Sequence, residues 1–262
     1  MDIKIIVAAH KQYKMPDSKM YIPLQVGAKG KPSIGYVRDD KGDNISDKNP
    51  TYCELTGMYY AWKNMDAEYL GLVHYRRYFA SNATCSDKDP FLNVLTPEEV
   101  RYYMSGYDII VPNKRKYYIE SLYSHYDHTF DGRHLKVAYS IIAKHYPEYQ
   151  SSCDKVYRRT WGYMFNMFIT NKKLWDEYCT WLFDILGRME DYIDLSKYDA
   201  FESRLFGRIS EILFNVWLEY KIEHGLKAVE VKCIHMEPVD WITKGTAFLK
   251  AKFFGHKYTK SF

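Results

Sequence analysis

The sequence predicts an α/β domain built on a mostly parallel central sheet. Three observations carry that expectation. Apolar runs of strand length recur along the chain, as IKIIVAA, YLGLV, YDIIVP and GYMFNMFIT. Segments with apolar residues at helical spacing separate them, which is the alternation of βα units. The chain has 262 residues, 47% of them hydrophobic, so it can bury a substantial core.

The elements follow in order. IKIIVAA reads as a buried first strand that ends in His10 and Lys11. The polar stretch DDKGDNISDKNP is a loop, and TYCELTGMYYAWKN then starts a helix. Thr51 stands three residues before Glu54, the spacing of a capping box, and Leu55, Met58, Tyr59 and Trp62 recur on one face. YLGLV is a second strand and leads into His74, Arg76 and Arg77. TPEEV opens another helix, with Thr96 as cap and Pro97 at the first helical position. YDIIVP is a strand stopped by Pro112, with Asp108 as a turn residue, and GYMFNMFIT is a fourth strand. Two long amphipathic helices follow, KKLWDEYCTWLFDILGRME and FESRLFGRISEILFNVWLEYKI.

Composition narrows the function. A net charge of +4 is too small to mark a nucleic-acid binder, and no nucleic-acid partner is expected. The cysteines, Cys53, Cys85, Cys153, Cys179 and Cys233, are odd in number, scattered and without a CxxC pair, which fits reduced thiols. The N-terminal apolar run is too short for a signal peptide, and no stretch reaches the roughly 18 apolar residues of a spanning helix. These features lead us to expect a protein of the cytoplasm or of the inner face of a membrane. The 26 tyrosines suit surfaces that stack on sugars or bases, although many must be core. GxGxxG, GxxxxGK[ST], GxSxG and HExxH are all absent.

Parallel sheets bind ligands at the carboxyl ends of their strands. His74, Arg76 and Arg77 occupy such a position, with no acid nearby in sequence, so an anion is the expected ligand and most simply a diphosphate. The bland alternative is surface arginines paired with carboxylates. His10 lies at the end of the first strand in the same way. Asn44 and Ser46 sit in a polar loop before a helix N-terminus, where nucleotide or sugar hydroxyls could be held or a solvated turn formed. His125 and His128, three apart, read as an ordinary polar segment more readily than as a metal pair. Candidate general bases are Asp199, Glu202 and Glu211. Glu211 stands among Leu205, Ile209, Ile212 and Leu213, and a carboxylate there is costly unless paired or used. The segment 241–262 carries Lys244, Lys250, Lys252, Lys257 and Lys260 between Phe248, Phe253 and Phe254, with no acid. We read 1–240 as the main domain and 241–262 as a basic aromatic tail suited to an anionic membrane.

YIPLQVGA, DNISDKNPTYCELTGMYYAWKN, GLVHYRRYF, DIIVP, NMFI, YCTWLFDIL and RLFGRISEIL together resemble a family of bacterial capsular and exopolysaccharide biosynthesis proteins long called a domain of unknown function. The resemblance runs from about residue 3 to 220, and where that family commonly reads Glu-Arg-Leu this chain has Glu211-Ile212-Leu213. It implies a GT-A-like nucleotide-binding fold with helical additions, and a glycosyltransferase. The implied donor is a UDP-sugar, most simply UDP-galactofuranose, and transfer to a growing cell-surface polysaccharide is expected to invert the anomeric carbon. HYR occupies the place where such folds usually carry an Asp-x-Asp metal motif, and Asp39-Asp40 follows no suitable strand. Hence no cofactor is expected, and a divalent ion is admitted but not expected. His74, Arg76 and Arg77 would hold the diphosphate, Asn166 would touch donor sugar or acceptor, Glu211 would be the base, and Arg204 would orient it or the phosphate. The implied partners are a lipid-linked glycan acceptor and the inner membrane surface, and a homo-oligomer is compatible with them. The rival class is a non-catalytic glycan-binding or assembly protein with the same fold.

Overall fold

The computed structural model describes residues 1–82 and 89–237. The first half supplies β1 (Ile3–Ala9), β2 (Tyr21–Gln25), β3 (Val37–Arg38), α1 (Asn49–Tyr52), α2 (Leu55–Asn64), β4 (Tyr69–His74), β5 (Arg77–Phe79), α3 (Pro97–Met104) and β6 (Ile109–Pro112). The second half supplies β7 (Arg115–Lys116), α4 (Leu122–Thr129), α5 (Arg133–His145), α6 (Gln150–Arg158), β8 (Trp161–Gly162), β9 (Phe168–Asn171), α7 (Lys172–Glu190), α8 (Leu205–Glu223), β10 (Ala228–Val231) and β11 (Cys233–His235).

The main sheet runs β10-β6-β9-β4-β1-β2-β3, with β5 bonded to β4 and β11 to β5. β1 is parallel to β2 and to β4, β2 to β3, and β10 to β6. β9 runs against both its neighbours, β4 and β6. The sheet is therefore mostly parallel, with a reversed strand at its centre. Strand alternation gives the sheet two apolar faces. Ile6, Leu24, Leu70, Leu72 and Phe168 pack with α2, α5, α7 and α8, and Phe168 lies 4.9 Å from Trp175 and 5.0 Å from Phe214 between ring centroids. Ile5, Val7, Val73, Ile110 and Ile169 face the other way, toward Val100 and Met104 of α3.

Helix ends follow local chemistry. The Thr96 hydroxyl accepts the Glu99 N–H at 3.3 Å and the Glu99 carboxylate accepts the Thr96 N–H at 2.9 Å, a full capping box with Pro97 behind it. Asn171 closes β9 and caps α7 by accepting the Leu174 N–H at 2.9 Å.

Two sequence expectations need correction. Thr51 and Glu54 form no capping box. Cys53 takes φ 54° and ψ −130°, which ends α1 and restarts the helix at Leu55, and the Thr51 hydroxyl instead donates to the Lys48 carbonyl at 3.0 Å. The run GYMFNMFIT is not one strand. Phe165 and Asn166 have φ 76° and 53°, so extended structure breaks and resumes only at Phe168. The tail 241–262 lies outside the described residues.

Gly71 marks how closely the central strands approach. A Cβ there would lie 2.8 Å from Ile169 Cγ1, 3.1 Å from the Phe168 carbonyl oxygen and 3.3 Å from Ile5 Cγ1. Backbone cannot swing aside as a side chain can. Gly71→Val is expected to lower stability by roughly 1–3 kcal/mol or more through overpacking, read as a lower urea midpoint with an unchanged slope.

Candidate active site

β1 and β4 end side by side, with Ala8 paired to His74, so the residues after them emerge together at one edge of the sheet. His10 and Lys11 follow β1, and Tyr75 and Arg76 follow β4. A tight turn then forms, because His74 pairs across to Arg77 of β5. Tyr75 and Arg76 are the tip of that turn. The HYRR run is thus divided: His74 and Arg77 face inward, and Arg76 stands at the rim.

The rim is basic. The His10 pKa is pulled below the usual imidazole value by burial first, then by the charges of Arg76, Lys11, Arg204 and Lys31. Five cationic or imidazole side chains from four separate segments therefore share one region. Two of them rest on aromatic rings: the Lys11 ammonium lies 5.7 Å from the Tyr75 ring centre, and the Arg76 guanidinium lies 4.9 Å from it. Arg76 has an acid partner after all, distant in sequence. Its Nη1 donates to Glu237 at 2.9 Å, and the Tyr13 hydroxyl donates to the other Glu237 oxygen at 3.0 Å. That ion pair is exposed at the surface, where such pairs contribute little.

Inside the rim, the 165–166 turn gathers the polar groups. His74 Nε2 donates to the Phe165 carbonyl at 2.6 Å, and the Arg77 guanidinium stacks 4.6 Å from the Phe165 ring centre. The Phe165 N–H donates to Glu211 at 3.1 Å. Asn166 Nδ2 donates to Glu54 at 2.7 Å and to the Gly207 carbonyl at 3.1 Å, while its oxygen accepts from the Ser210 hydroxyl at 3.1 Å. Successive residues of one turn thus hold two carboxylates, Glu54 and Glu211. Asn215 fixes the entry to this turn, accepting the Tyr163 N–H at 2.8 Å and donating to the Tyr163 carbonyl at 2.7 Å. Among the described residues, three of the four non-glycine residues with positive φ, Cys53, Phe165 and Asn166, border this cluster, and such backbone costs about 1–3 kcal/mol per residue. Gly207 lets α8 approach Cys53, since a Cβ would sit 2.9 Å from Cys53 Cβ.

Electrostatics set the protonation states. Burial of the Glu211 carboxyl, and next the negative charge of Glu54, push its pKa up to about 7, while Arg115, the Phe165 N–H and Arg77 pull it back. The residue as a whole keeps some exposure, although burial of its carboxyl is the main cause of the shift. Burial lowers the His74 pKa, with Arg77 adding to the effect and Glu54 opposing it, so the ring is neutral at pH 7.

Other residues singled out in the sequence have different work. The buried Asp39 carboxylate accepts the Gly27 N–H at 2.7 Å, the Ala28 N–H at 2.9 Å, the Thr56 hydroxyl at 2.7 Å, and the Ser46 hydroxyl. It follows β3, a two-residue strand at the edge of the sheet and not one of its central strands. Ser46 is buried in that network, and Asn44 turns on its own loop, accepting the Ser46 N–H at 3.2 Å. Both side chains hold the loop 26–46 in place of facing the rim. Asp40 pairs with Arg38, which depresses its pKa. Asp199 is exposed and accepts the N–H groups of Phe201 and Glu202, each at 2.7 Å, while Glu202 accepts the Asp199 N–H at 3.3 Å. Both are caps of the turn before α8, whereas Glu211 faces the cluster. Arg204 Nε donates to Cys53 Sγ at 3.3 Å and its charge reaches His10. His125 and His128 both bond the buried Glu120, and no group of three metal-ligating side chains occurs among the described residues. Asp108 accepts the Lys227 N–H at 2.8 Å, as a turn residue would.

Sequence reasoning missed Glu54 as a site residue, because a carboxylate three places after a threonine looks like a cap. It also missed Lys31, Arg115 and Arg208, which sequence alone places in unrelated segments.

Comparison with known proteins adds to this geometry. A family model described as Domain of unknown function (DUF4422) matches residues 4–222. Among solved structures, the WbbM bifunctional glycosyltransferase in its apo form is similar, with a TM-score of 0.83 and 32% sequence identity. The match covers 91% of this chain and 46% of that one, so the chain spans under half of its relative's length. No curated protein matches. The likeness bears out the expected α/β, GT-A-like fold. Among the described residues no helix is long and apolar enough to cross a membrane.

The Glu211 shift has a sign that stability can report. Its folded pKa of about 7 lies above the ordinary value of 4.5, so the folded chain binds a proton that the unfolded chain releases between these values. The contribution is fully present below the unfolded pKa and is lost as pH rises through about 7. Relative to Glu211→Gln, wild-type stability should fall across that interval by at most roughly 1.4 kcal/mol per pH unit, and then level off. Urea unfolding from pH 4.5 to 8 checks it, and parallel curves for the two proteins would remove the assigned shift.

Proposed function

This chain belongs to the family described as Domain of unknown function (DUF4422), and we propose that it is a glycosyltransferase moving a sugar from a UDP donor to a growing cell-surface polysaccharide. Galactofuranose is the sugar the sequence resemblance favours, and inversion is the course. The observation that carries the reading is the juxtaposition of a basic rim with a carboxylate, held by the 165–166 turn, whose pKa is pushed up to about 7. An anionic leaving group needs the first, and deprotonation of an acceptor hydroxyl near neutral pH needs the second.

In this reading the donor diphosphate lies against His10, Lys11, Arg76 and Arg204. The sugar points inward to the 165–166 turn, beside Asn166 and Glu54. Glu211 takes the proton from the acceptor hydroxyl as its oxygen attacks the anomeric carbon. The bond from that carbon to the diphosphate oxygen breaks, and UDP leaves with the electron pair. His74 and Arg77 act from behind, both holding Phe165, and the Arg77 charge offsets the negative charge of the carboxylates.

The donor set supports transfer without a metal. Asp39 has both oxygens engaged by protein donors, and Asp40 is paired with Arg38. Fixed cations of the rim would then neutralise the diphosphate. The acceptor would be a lipid-linked glycan, met at the inner membrane surface through the lysines and phenylalanines of 241–262, so that the protein works as a peripheral cytoplasmic-face enzyme.

UDP release from UDP-galactofuranose, with a glycan acceptor and in excess EDTA, tests the proposal. Activity should persist, and NMR should show an inverted anomeric centre in the product. Glu211→Gln should lower turnover about 10²–10⁴-fold with UDP affinity close to wild type. Normal turnover in Glu211→Gln with loss in Asp199→Asn would move the base to the cap. Activity abolished by EDTA and restored by manganese would overturn metal independence.

A further inference from the structure

Arg204 at the N-cap of α8, and Arg208 and Glu211 within it, stand at spacings of four and three along one side of the helix. Arg204 reaches the basic rim and Glu211 reaches the 165–166 turn, so Arg208 lies between them. Its guanidinium carbon is 4.1 Å from the Phe130 ring centre and 3.9 Å from the Phe201 ring centre. Both terminal nitrogens are buried, and neither meets a hydrogen-bond acceptor among the described residues. Burial lowers its pKa to about 10, against the pull of Tyr126 and Glu211.

That state is costly. A charged group taken from water needs partners, and a methionine of similar length would pack between the two rings without the penalty. Arg159 shows the usual solution in this same chain. It is also part-buried, but its nitrogens donate to the Trp161 carbonyl at 3.1 Å, to Glu219 at 2.8 Å and to Asn215 at 2.6 Å. Both guanidiniums lie over rings, Arg159 at 3.9 Å from the Trp161 ring centre, but among the described residues Arg208 lacks the acceptors that meet the edge of Arg159. Rings leave the in-plane edge of a guanidinium for a ligand, and that edge carries the paired donors that fit phosphate oxygens.

We propose that Arg208 is a phosphate-binding residue, one helical turn deeper than Arg204, that receives diphosphate oxygens when substrate enters. The inference rests on the glycosyltransferase reading for its ligand. Phe201, half-buried in the turn before α8, is the cover that has to shift for the nitrogens to be reached. The diphosphate of the donor and that of a lipid-linked acceptor share this chemistry, and the choice of probe separates them.

The test is calorimetric titration of the wild type, Arg208→Met and Arg208→Lys with UDP, inorganic pyrophosphate and a short prenyl diphosphate, alongside urea unfolding. Arg208→Met should be at least as stable as wild type, yet lose roughly 10–100-fold in affinity for a diphosphate probe that the wild type binds. Arg208→Lys, which keeps the charge and loses the fork, should lose less, and it serves if the methionine variant fails to fold. Loss confined to UDP assigns the donor, and loss confined to the prenyl diphosphate assigns the acceptor. Equal affinities in all three proteins would overturn the role of Arg208 and leave the glycosyltransferase reading standing. Pyrophosphate binding without UDP binding would sink the UDP donor while the Arg208 comparison still decides. If the wild type binds none of the three probes, both readings fall.

Discussion

The side chain of Asn166 ties the candidate site together. Its amide donates to Glu54 and to the Gly207 carbonyl and accepts from Ser210, so one buried group joins the segment before α2, the turn before β9 and the first turns of α8. Those segments are far apart in sequence, and apolar packing alone would leave their relative register loose. A hydrogen-bonded amide in a dry environment fixes it, because each unmade bond would strand a buried polar atom. The strained φ of Phe165 and Asn166 persists only because these bonds, with those of His74 to Phe165 and of Asn215 to Tyr163, over-determine the backbone.

The charges follow from that scaffold. Glu54 and Glu211 are both held by donors of the turn, so neither can retreat from the other. Repulsion between them adds to burial and raises the proton affinity of Glu211. Arg77 limits the rise from its stack on Phe165. Of the rim side chains, His10, Lys11 and Arg76 follow the ends of β1 and β4, where a parallel pair must deliver them, and Lys31 and Arg204 join them from other segments. The fold thus separates a region that attracts anions from a region that holds a proton, with one turn of backbone between them.

Much of the fold is legible in the sequence because local rules govern it. Helix α7 runs over the residues that the amphipathic pattern marks, and Thr96 and Pro97 open α3 as their chemistry requires. The breaks are less legible. Nothing local announces that Cys53, Phe165 and Asn166 adopt positive φ, since tertiary bonds impose it, and both misread elements contain these residues. β2 and β3 are short, and β3 is only two residues long, too little for a periodic signal. The site divides in the same way. Glu211 stands out as a carboxylate on an apolar helix, and HYRR as cations after a strand. The two-residue turn that sends Arg76 and Arg77 to different places is a pairing fact, not a compositional one. The roles of Glu54 and Asn166 depend on a contact across 112 positions, which a single sequence does not display.

A site of this kind is built against stability. Three non-glycine residues of the cluster occupy unfavourable backbone, the charge of one carboxylate opposes ionisation of another, and Arg208 is enclosed without an acceptor among the described residues. Each feature would be removed by a simple substitution if packing alone decided the residue. Elsewhere the chain makes conventional choices: Asp39 has four donors, Arg159 has three acceptors, and the ends of α3 and α7 are capped. These unfavourable features gather around the 165–166 turn and the first turns of α8, and a ligand bearing phosphate charge and a hydroxyl proton would relieve several of them at once. Polar atoms of Trp175, Tyr178, Trp181 and Trp217 also lack partners among the described residues of the apolar core, so what sets the candidate site apart is its gathering of buried charged groups and strained backbone, the kind of concentration that marks a place where a substrate is met.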